Sequence, residues 1–495
     1  MSNRFRARAW KGGELRLLDG QWGQYTSPID SDLRHGLPRL RARARDLAQN
    51  NDHVRHFTTL LHANVIGPRG ITLQSQAVTR AGRPDKRARQ AIESAWQAWT
   101  KPGQCDVTGK LSFRDVCRLA LSSMVRDGEA LIRLVPGYGP SSFALQVLDP
   151  EVLDIRKNED RPRSIVRMGV EMDSWRRPIA YWLRPEPGVN WQSYSAGDSR
   201  PISADEILHI YLPEWVWQSR GIPWIATAIT RLHHLGEYEE AELIAARAGA
   251  EKPGHYKKTE DAIGAPGTNA DGEQNLESDL IQEIRAGEYG ILPPGWEFQL
   301  DDPTHPTTAF PDFVKAALRS IASGLGVDYN SLANDLEGVN YTSLRHGQLN
   351  ARSIWMMLQE WFIEAALEPI WSAWLDTSLQ LGRIQLANGS PLEPQRLNQY
   401  APAKWQARRW AWVDPLKEVQ AHKEAVALRT RSISSIIREQ GDDPEDVWAE
   451  IARDTEMLEQ YGIPPPAEMS APMTETEQDE PEPEEDEESD DDLTT

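Results

Sequence analysis

Apolar positions along the chain follow two periods and so divide it into helical and strand-like segments. Residues 41–67 carry a helical stripe that Gly67-Pro68 ends. The apolar positions of this stripe are Leu47, Val54, Phe57, Leu60 and Leu61. Further helices are predicted over 84–99 and 113–127, the second closed by Gly128. The first part of the chain is therefore predicted to be mainly helical.

A block of short alternating or β-branched runs follows, each bounded by Pro, Gly or Asp. These runs predict strands and are ALIRLVP, FALQVLDP, SIVRMGVEMD, PIAYWLRP and ADEILHIYLP. The helical period returns over 224–250. Two more strand-like pieces, EYGILPP and WEFQLDD, precede the next helix.

Residues 309–345 predict an amphipathic helix, a polar loop and the start of a long second helix. The apolar positions of the first helix are Phe310, Phe313, Val314, Ala317, Leu318, Ile321 and Leu325. Gly and Asn residues then interrupt the pattern. The second helix is predicted over 343–381, with a kink at Pro369. A helix with Pro415 near its first turn and two helices over 430–440 and 444–460 complete the prediction.

Charge is distributed unevenly over the 495 residues, which carry a net charge of −21. Residues 1–45 carry +6 and are predicted to be a mobile basic arm, either binding nucleic acid or acidic protein or simply disordered. The Gly- and Asn-rich residues 259–278 predict a flexible insertion, and residues 466–495 a disordered acidic tail. The body between arm and tail is also acidic, which argues against tight general binding to nucleic acid. It does not exclude a surface past which nucleic acid slides.

The common catalytic and metal-binding signatures are absent from the sequence. The sequence has no phosphate-binding loop, dinucleotide fingerprint, zinc-protease motif or nucleophile elbow, and we predict no enzyme activity, cofactor, metal or catalytic residue. No apolar run is long enough to span a membrane, and no secretory signal is evident. Cys105 and Cys117 are predicted to be ordinary buried or half-buried thiols.

Three patterns have two readings each. His53 and His56 fall one helical turn apart, but polar-face residues are favoured over metal ligands. Asp127-Gly128-Glu129 is either an acidic site or, as we favour, a helix-ending turn. The cluster of Trp405, Trp410 and Trp412 either stacks bases or, as we favour, packs in a core or subunit interface.

Several segments in a constant order resemble the portal proteins of lambda-like tailed phages. They are ARDLAQNN, ANVIGPRGITLQ, MVRDGEALIRL, LQVLDPE, GVEMD with RPIAYW, SRGIPWIA, the 310–345 stretch, WVDPLKEVQAHKEA and EQGDDPEDVWAEIARD. The resemblance covers about residues 40–460. The insertion 259–278 matches the family only loosely, and the acidic tail does not match it.

The resemblance implies an α+β multidomain portal fold. It would be predominantly α-helical, with a β-rich wing, a small α/β clip, and long stem and spine helices. The implied map is a basic arm (1–45), wing (46–222), first stem helix (223–250), clip (251–308), second stem helix (309–325), channel loop (326–342), spine helix and return to the wing (343–428), crown (429–465) and acidic tail (466–495).

The resemblance also implies a ring, usually of twelve subunits, at one capsid vertex of the virion, assembled in the host bacterial cytoplasm. The implied partners are other copies of the chain, the terminase large subunit, capsid or scaffold protein, a head-completion or tail adaptor protein, and double-stranded DNA, with no membrane. Two alternatives stay open, a metal-dependent nucleic-acid-processing enzyme and a head or tail scaffold that never contacts DNA.

The resemblance assigns candidate functional residues to three regions. The channel-loop candidates are Asp328, Asn330, Asn334, Asp335, Glu337 and Asn340. The stem candidates for lining the channel are Lys315 and Arg319. The clip candidates for contacting terminase or the adaptor are Glu288, Trp296, Glu297, Asp301 and Asp302.

Overall fold

A computed structural model describes most of the chain and divides it into two compact units, Met1–Val413 and Asp414–Thr495. The described residues are 26–185, 198–251, 254–258, 296–300, 310–337, 341–410, 415–440 and 444–462. The predicted insertion 259–278, the strand EYGILPP and the acidic tail lie outside these ranges.

Helices make up most of the regular structure that is described. Their bounds are α1 Ile29–Asn50, α2 Asp52–Leu61, α3 Lys86–Trp99, α4 Phe113–Asp127, α5 Ile229–Glu251, α6 Phe310–Leu325, α7 Tyr329–Ala333, α8 Tyr341–Phe362, α9 Glu368–Gln380, α10 Leu397–Tyr400, α11 Pro415–Ala427, α12 Ile433–Gln440 and α13 Pro444–Gln460. Five-residue π turns, His62–Ile66 and Ile363–Leu367, follow α2 and α8.

The strands form small antiparallel sheets. Their bounds are β1 Thr72–Ser75, β2 Ala130–Pro136, β3 Phe143–Leu148, β4 Glu159–Asp160, β5 Ile165–Arg167, β6 Val170–Met172, β7 Pro178–Leu183, β8 Arg200–Ser203, β9 Ile207–Ile210, β10 Gly254–Lys258, β11 Trp296–Leu300 and β12 Ala403–Gln406. The order is β3-β2-β9 in one sheet and β4-β5-β6-β7-β8 in another, with the two-stranded pairs β1-β12 and β10-β11. Each predicted run between residues 130 and 213 contains a strand, so the predicted β-rich block is confirmed.

An aromatic cluster lies at the centre of the larger unit. The Trp96 ring lies 4.9 Å from Trp99, 5.4 Å from Trp371, 5.0 Å from Trp374 and 6.0 Å from Trp405, measured between centroids. Mostly edge-to-face geometry of this kind stabilises a core beyond its buried area. The cluster joins α3, α9 and β12, which are distant in sequence.

The remaining members of the predicted Trp cluster support the packing interpretation where they are described. Trp410 donates its indole N–H to Asn64 Oδ1 at 3.2 Å and packs against the same core. Trp412 lies outside the described residues. Core packing is therefore confirmed for Trp405 and Trp410.

The N-terminal arm prediction is wrong for residues 29–45. These residues belong to α1, whose side chains Leu33, Leu37, Arg41 and Ala44 are buried. Their spacing of four, four and three residues forms one apolar helix face that also accommodates Arg41. The high arginine content masked this stripe. Residues 1–25 lie outside the described residues.

Two helix boundaries also differ from the prediction. Asn51, in an extended conformation, breaks the predicted 41–67 helix, and its side chain accepts a hydrogen bond from the Val54 N–H as the cap of α2. The helix predicted from residue 224 starts at Ile229 instead, because the Trp224 N–H donates to the Met124 carbonyl and turns precede the helix. The predicted bounds of α4 and its glycine cap are confirmed.

The long helix predicted over 343–381 is interrupted rather than simply kinked. α8 passes through the π turn Ile363–Leu367 and continues as α9, with Pro369 in the first turn of α9. The Glu368 N–H donates to the Ile363 carbonyl five residues earlier. Pro369, which has no N–H to donate, thus follows directly on the turn in which the hydrogen-bond pattern of the helix changes.

The smaller unit contains α11, α12 and α13. The predicted helices at 430–440 and 444–460 correspond to α12 and α13. Arg431 pairs with Glu439 at 2.6 Å across α12. In the described part of the chain, no helix is both long and apolar enough to cross a membrane.

Candidate functional site

Helices α5 and α6, the two implied stem helices, pack against each other along most of α6. The Tyr238 ring of α5 lies 5.7 Å from Phe310 and 5.0 Å from Phe313 of α6. At the other end, Thr227 Oγ1 donates to the Gly324 carbonyl at 3.1 Å. A Cβ at Gly324 would lie only 3.2 Å from Thr227 Oγ1, so glycine permits this close approach.

The buried face of α6 agrees with the predicted stripe except at one end. Leu318, Ile321 and Ala322 are buried, whereas Phe313 is 54 % exposed. The sequence pattern places Phe313 on the helix face that is predicted to be buried. Its ring instead contacts Tyr238 with one edge and leaves the rest of its surface open.

The predicted channel loop begins with a short helix rather than an irregular loop. Gly326 adopts φ +69, and Asp328 then caps α7 by accepting the Ser331 N–H at 3.1 Å. Asn334 ends α7 in the left-handed conformation with φ 53. Asparagine tolerates this conformation better than other non-glycine residues.

The short helix α7 is held against the body of the protein. Leu332 is buried, and the His56 Nε2 atom lies 2.9 Å from the Ser331 carbonyl. His56 therefore contacts the loop, as a polar residue of α2. Within the described ranges, no group of three His, Cys, Asp or Glu side chains is arranged to hold a metal ion.

An ion-pair cluster, here called the clasp, joins α6 to the loop. Lys315 Nζ lies 3.1 Å from Glu337 Oε2 and 3.9 Å from Asp335 Oδ2. Tyr329 donates its hydroxyl to Asp335 Oδ2 at 2.8 Å. The Arg319 guanidinium lies 5.3 Å from the centre of the Tyr329 ring. The clasp thus consists of Lys315, Arg319, Tyr329, Asp335 and Glu337.

The charged groups of the clasp stabilise each other in their charged forms. The hydrogen bond to Glu337 and the nearby carboxylates raise the pKa of Lys315. The Tyr329 hydroxyl, the Glu337 backbone N–H and the nearby cations lower the pKa of Asp335. Both groups therefore stay charged at neutral pH, and the lysine charge faces carboxylates on the loop.

The clasp brings together residues that were predicted as two separate sets. Lys315 and Arg319 were candidates on the stem, and Asp335 and Glu337 were candidates on the loop. Tyr329, which links them, was not a candidate. A tyrosine six and eight residues before two acidic residues is too common a pattern to mark a site from sequence.

The other predicted residues are placed as follows. Asp328 and Asn334 cap α7, Asn330 lies within it, and Asn340 lies outside the described residues. Among the candidates of the predicted clip, Trp296 and Glu297 on β11 pair with Lys258 and Lys257 on β10. Glu288, Asp301 and Asp302 lie outside the described residues.

A fully buried charge network joins the β-rich block to the segment before α5. Glu129 accepts hydrogen bonds from Arg220 at 2.6 Å, from the Gly221 N–H at 2.8 Å and from His209 at 3.0 Å. The Nη2 atom of Arg41 lies 2.8 Å from Glu129 Oε1. Burial alone would raise the pKa of Glu129, but the charges of Arg220, Arg41 and His209 outweigh it and hold this pKa well below its ordinary value.

The backbone around this network is packed without room for side chains. Gly128 has φ +85, and a Cβ there would lie 2.3 Å from the Ile222 carbonyl carbon. A Cβ on Gly221 would lie 2.0 Å from the Gly128 carbonyl oxygen. The favoured interpretation of Asp127-Gly128-Glu129 as a helix-ending turn is therefore correct, and both flanking carboxylates also carry buried ion pairs.

The family model and the relatives that match this chain are all phage portal proteins. The model for the lambda family of phage portal proteins matches residues 16–359. A probable portal protein of Halomonas phage phiHAP-1 is 37 % identical over 464 residues, covering 93 % of this chain and 88 % of that protein. Portal protein B of Escherichia phage lambda is 22 % identical over 497 residues, covering 93 % and 90 %.

Solved structures similar to this chain are more distant. The neck of an empty gene transfer agent particle, computed with C6 symmetry, has a TM-score of 0.45 at 14 % identity and covers 83 % of this chain and 94 % of that one. A portal protein of the HK97 family from Corynebacterium diphtheriae has a TM-score of 0.32 at 13 % identity, covering 73 % and 98 %.

The family match and the 37 % identical relative confirm two predictions. The fold is an α+β portal fold, and the protein is not an enzyme, since its relatives are structural portal proteins. The chain belongs to the lambda family of phage portal proteins, the head–tail connectors of tailed phages.

Proposed function

We propose that this chain forms a closed ring, usually of twelve copies, at one capsid vertex of the virion, and that DNA enters and leaves through the ring. In a closed ring, each subunit contacts its two neighbours through two different surfaces. The ring closes when the rotations from one subunit to the next add up to a full turn. Family membership supports the ring. The clasp is the observation that carries the proposal for the channel.

The clasp supports a channel surface that does not retain DNA. Each lysine or arginine that contacts a phosphate adds to the salt-dependent affinity of a protein for DNA. At the clasp, two carboxylates on the loop already face Lys315 at 3.1 and 3.9 Å. A passing phosphate would have to compete with these carboxylates, so Lys315 contributes little to the affinity for DNA.

We propose the same division of the chain as the family implies, with one change at the wing. The wing begins with α1 at residue 29 rather than at 46, because α1 packs against α4 through Arg45 and Asp127 at 2.5 Å. Helices α5 and α6 are the stem, residues 326–342 the channel loop, α8 to α9 the spine, and α12 and α13 the crown.

We place the partners at the ends of this arrangement. The clip, of which the β10–β11 strand pair is described, contacts the terminase large subunit during packaging and a head-completion or tail adaptor protein afterwards. The capsid or scaffold protein contacts the outside of the ring. Assembly takes place in the host bacterial cytoplasm.

The ring is tested on the purified full-length chain by native mass spectrometry and electron microscopy. We expect a closed particle with one rotational symmetry axis and a central opening. A chain that stays monomeric over a wide range of concentration, ionic strength and added scaffold protein would contradict the proposal.

The clasp is tested by Lys315→Gln in the full-length chain. Without the lysine, the loop opens more often. Cleavage after Glu337 by a glutamate-specific protease should therefore speed up by no more than about fivefold, the factor that corresponds to the free energy of an exposed ion pair. Lys86→Gln, at an exposed lysine of α3, is the control. An unchanged cleavage rate for Lys315→Gln would mean that the clasp does not restrain the loop.

A further inference from the structure

Exposed tryptophans lie on two neighbouring turns, one between β6 and β7 and the other after β9. Trp175, Trp215 and Trp217 are 89, 60 and 67 % exposed, and Val216 between the last two is 78 % exposed. These four residues are called the tryptophan surface below. Tryptophan is the side chain with the largest apolar area, and its enrichment in exposed clusters marks sites of protein contact.

The tryptophan surface is held in shape by its backbone and by one cation. Arg176 and Trp217 both adopt the left-handed conformation, with φ 64 and 67. This conformation is unusual for bulky residues, and such strain gathers at positions where structure serves a function. The Arg176 guanidinium lies 5.1 Å from the centre of the Trp217 ring, so the two turns support each other.

The start of the described chain lies beside this surface. Pro28 and Ile29 line a cavity of about 580 Å³ together with Arg176, Val216 and Trp217. The first turn of α1 is fixed there, because Asp30 accepts hydrogen bonds from the Ser219 N–H at 2.9 Å and from the Ser219 hydroxyl at 2.6 Å. Ser219 is only two residues from Trp217.

The 25 residues that precede Thr26 have suitable chemistry to cover the tryptophan surface. They carry apolar and aromatic side chains among the arginines, namely Phe5, Trp10, Leu15, Leu17, Leu18, Trp22 and Tyr25. Trp22 is four residues from Thr26, so an extended chain spans about 14 Å between them. Covalent attachment this close gives a segment a high effective concentration at the surface.

We propose that the tryptophan surface is the docking site of the chain's own N-terminal segment, residues 1–25. Trp22 and Tyr25, the aromatic residues of this segment nearest in sequence to Thr26, are the expected contacts of Trp217 and Val216. The basic segment is thereby tied to the β-rich block. This inference does not depend on the ring or on the channel.

The proposal is tested by disulfide formation in the full-length chain carrying Trp22→Cys and Val216→Cys. The two natural cysteines are buried, burial raises the pKa of the Cys105 thiol to about 12, and burial also raises the pKa of the Cys117 thiol. They therefore leave the introduced pair as the reactive thiols. We expect rapid disulfide formation within one chain under mild oxidation.

The matched control pairs Trp22→Cys with Tyr138→Cys, an exposed aromatic residue on the β2–β3 turn. Its disulfide should form at least about tenfold more slowly, because the docked segment is held elsewhere. Mixing isotopically labelled and unlabelled chains shows whether the bond lies within one chain or between two. A bond between chains would overturn docking on the same chain and assign the surface to a second copy.

A second measurement avoids introduced cysteines. Trp217→Ala should speed up tryptic cleavage after Arg16 in the full-length chain by about tenfold or more, the effect of removing a central interface tryptophan. Tyr138→Ala should leave the rate unchanged. If Trp217→Ala changes nothing and the Trp22–Val216 disulfide does not form within the chain, the proposal is wrong and the tryptophan surface serves another protein.

Discussion

Replacing Glu129 with alanine is expected to lower the free energy of unfolding by about 3–5 kcal/mol. The reason is that Arg220 and Arg41 would then remain buried without the carboxylate that compensates them. Arg220 is fully buried, and it also donates to the Met168 carbonyl at 2.8 Å, so its guanidinium cannot turn to water without moving the backbone around it.

Urea denaturation followed by tryptophan fluorescence measures this loss, because the aromatic cluster lies in the same compact unit. Glu206→Ala is the matched control. Glu206 pairs with Arg133 of β2 at 2.8 Å, but both side chains are more than a third exposed, and the expected cost is below about 1 kcal/mol. Equal losses for the two variants would contradict the assigned role of burial.

The pH dependence gives an independent check with Glu129→Gln. Because the folded-state pKa of Glu129 lies below its unfolded value, the stability that its charge contributes is present above the unfolded pKa of about 4.3. That contribution is lost as the pH falls through the folded-state pKa. The difference in unfolding free energy between the natural protein and the variant should therefore be full at pH 7 and shrink below about pH 4.

Shortening the loop over residues 328–339 is expected to leave the ring assembled but to impair DNA packaging or retention. The deletion removes α7, the two clasp carboxylates and Tyr329, so α6 loses its contacts with the loop. Particle assembly is followed by electron microscopy, and packaged DNA by nuclease protection in a packaging extract. A shortened loop that packages and retains DNA normally would contradict the channel assignment.

Single substitutions in the loop provide the control for this deletion. Asn330, Asn334 and Asn340 are expected to be replaceable one at a time with the ring intact. Asn334→Gly should be neutral because glycine accepts φ 53, whereas Asn334→Ala adds local strain of about 1 kcal/mol. Neither change removes the clasp.

Much of the fold could be predicted where one element carries its own signal. The bounds of α4, α6 and α13 follow from an apolar period together with a capping glycine or an N-terminal proline. The strands of the β-rich block follow from alternating runs between turn residues. The stripe of α1 was also present in the sequence at Leu33, Leu37 and Ala44, but the arginines around it concealed it.

The buried network could not be predicted, because its members are far apart in sequence. Arg220 and Arg41 lie 91 and 88 residues from Glu129. A carboxylate beside a helix-ending glycine looks the same in sequence whether it faces solvent or two buried guanidinium groups. The family resemblance had nonetheless marked both halves, since MVRDGEALIRL contains Glu129 and SRGIPWIA contains Arg220.

The candidate site was predicted in its parts but not in its arrangement. Lys315 and Glu337 were both named, but nothing in the sequence indicates that they form an ion pair across 22 residues. That pairing depends on α7, which turns the chain back toward α6. A five-residue helix is too short to give a reliable period.

The π turn before α9 affects the rotation of α8 relative to α9. Buried positions along this segment recur every four residues at Ile363, Leu367, Trp371, Leu375 and Leu379. In a regular α-helix such a repeat winds around the axis by about 40° at each step, and the wider π turn compensates part of that drift. One inserted or deleted residue there would change the rotational phase of α8 relative to α9 by about 100°. The rotation of α8, the helix that follows the loop, therefore depends on residues at Ile363–Leu367, at the opposite end of that helix.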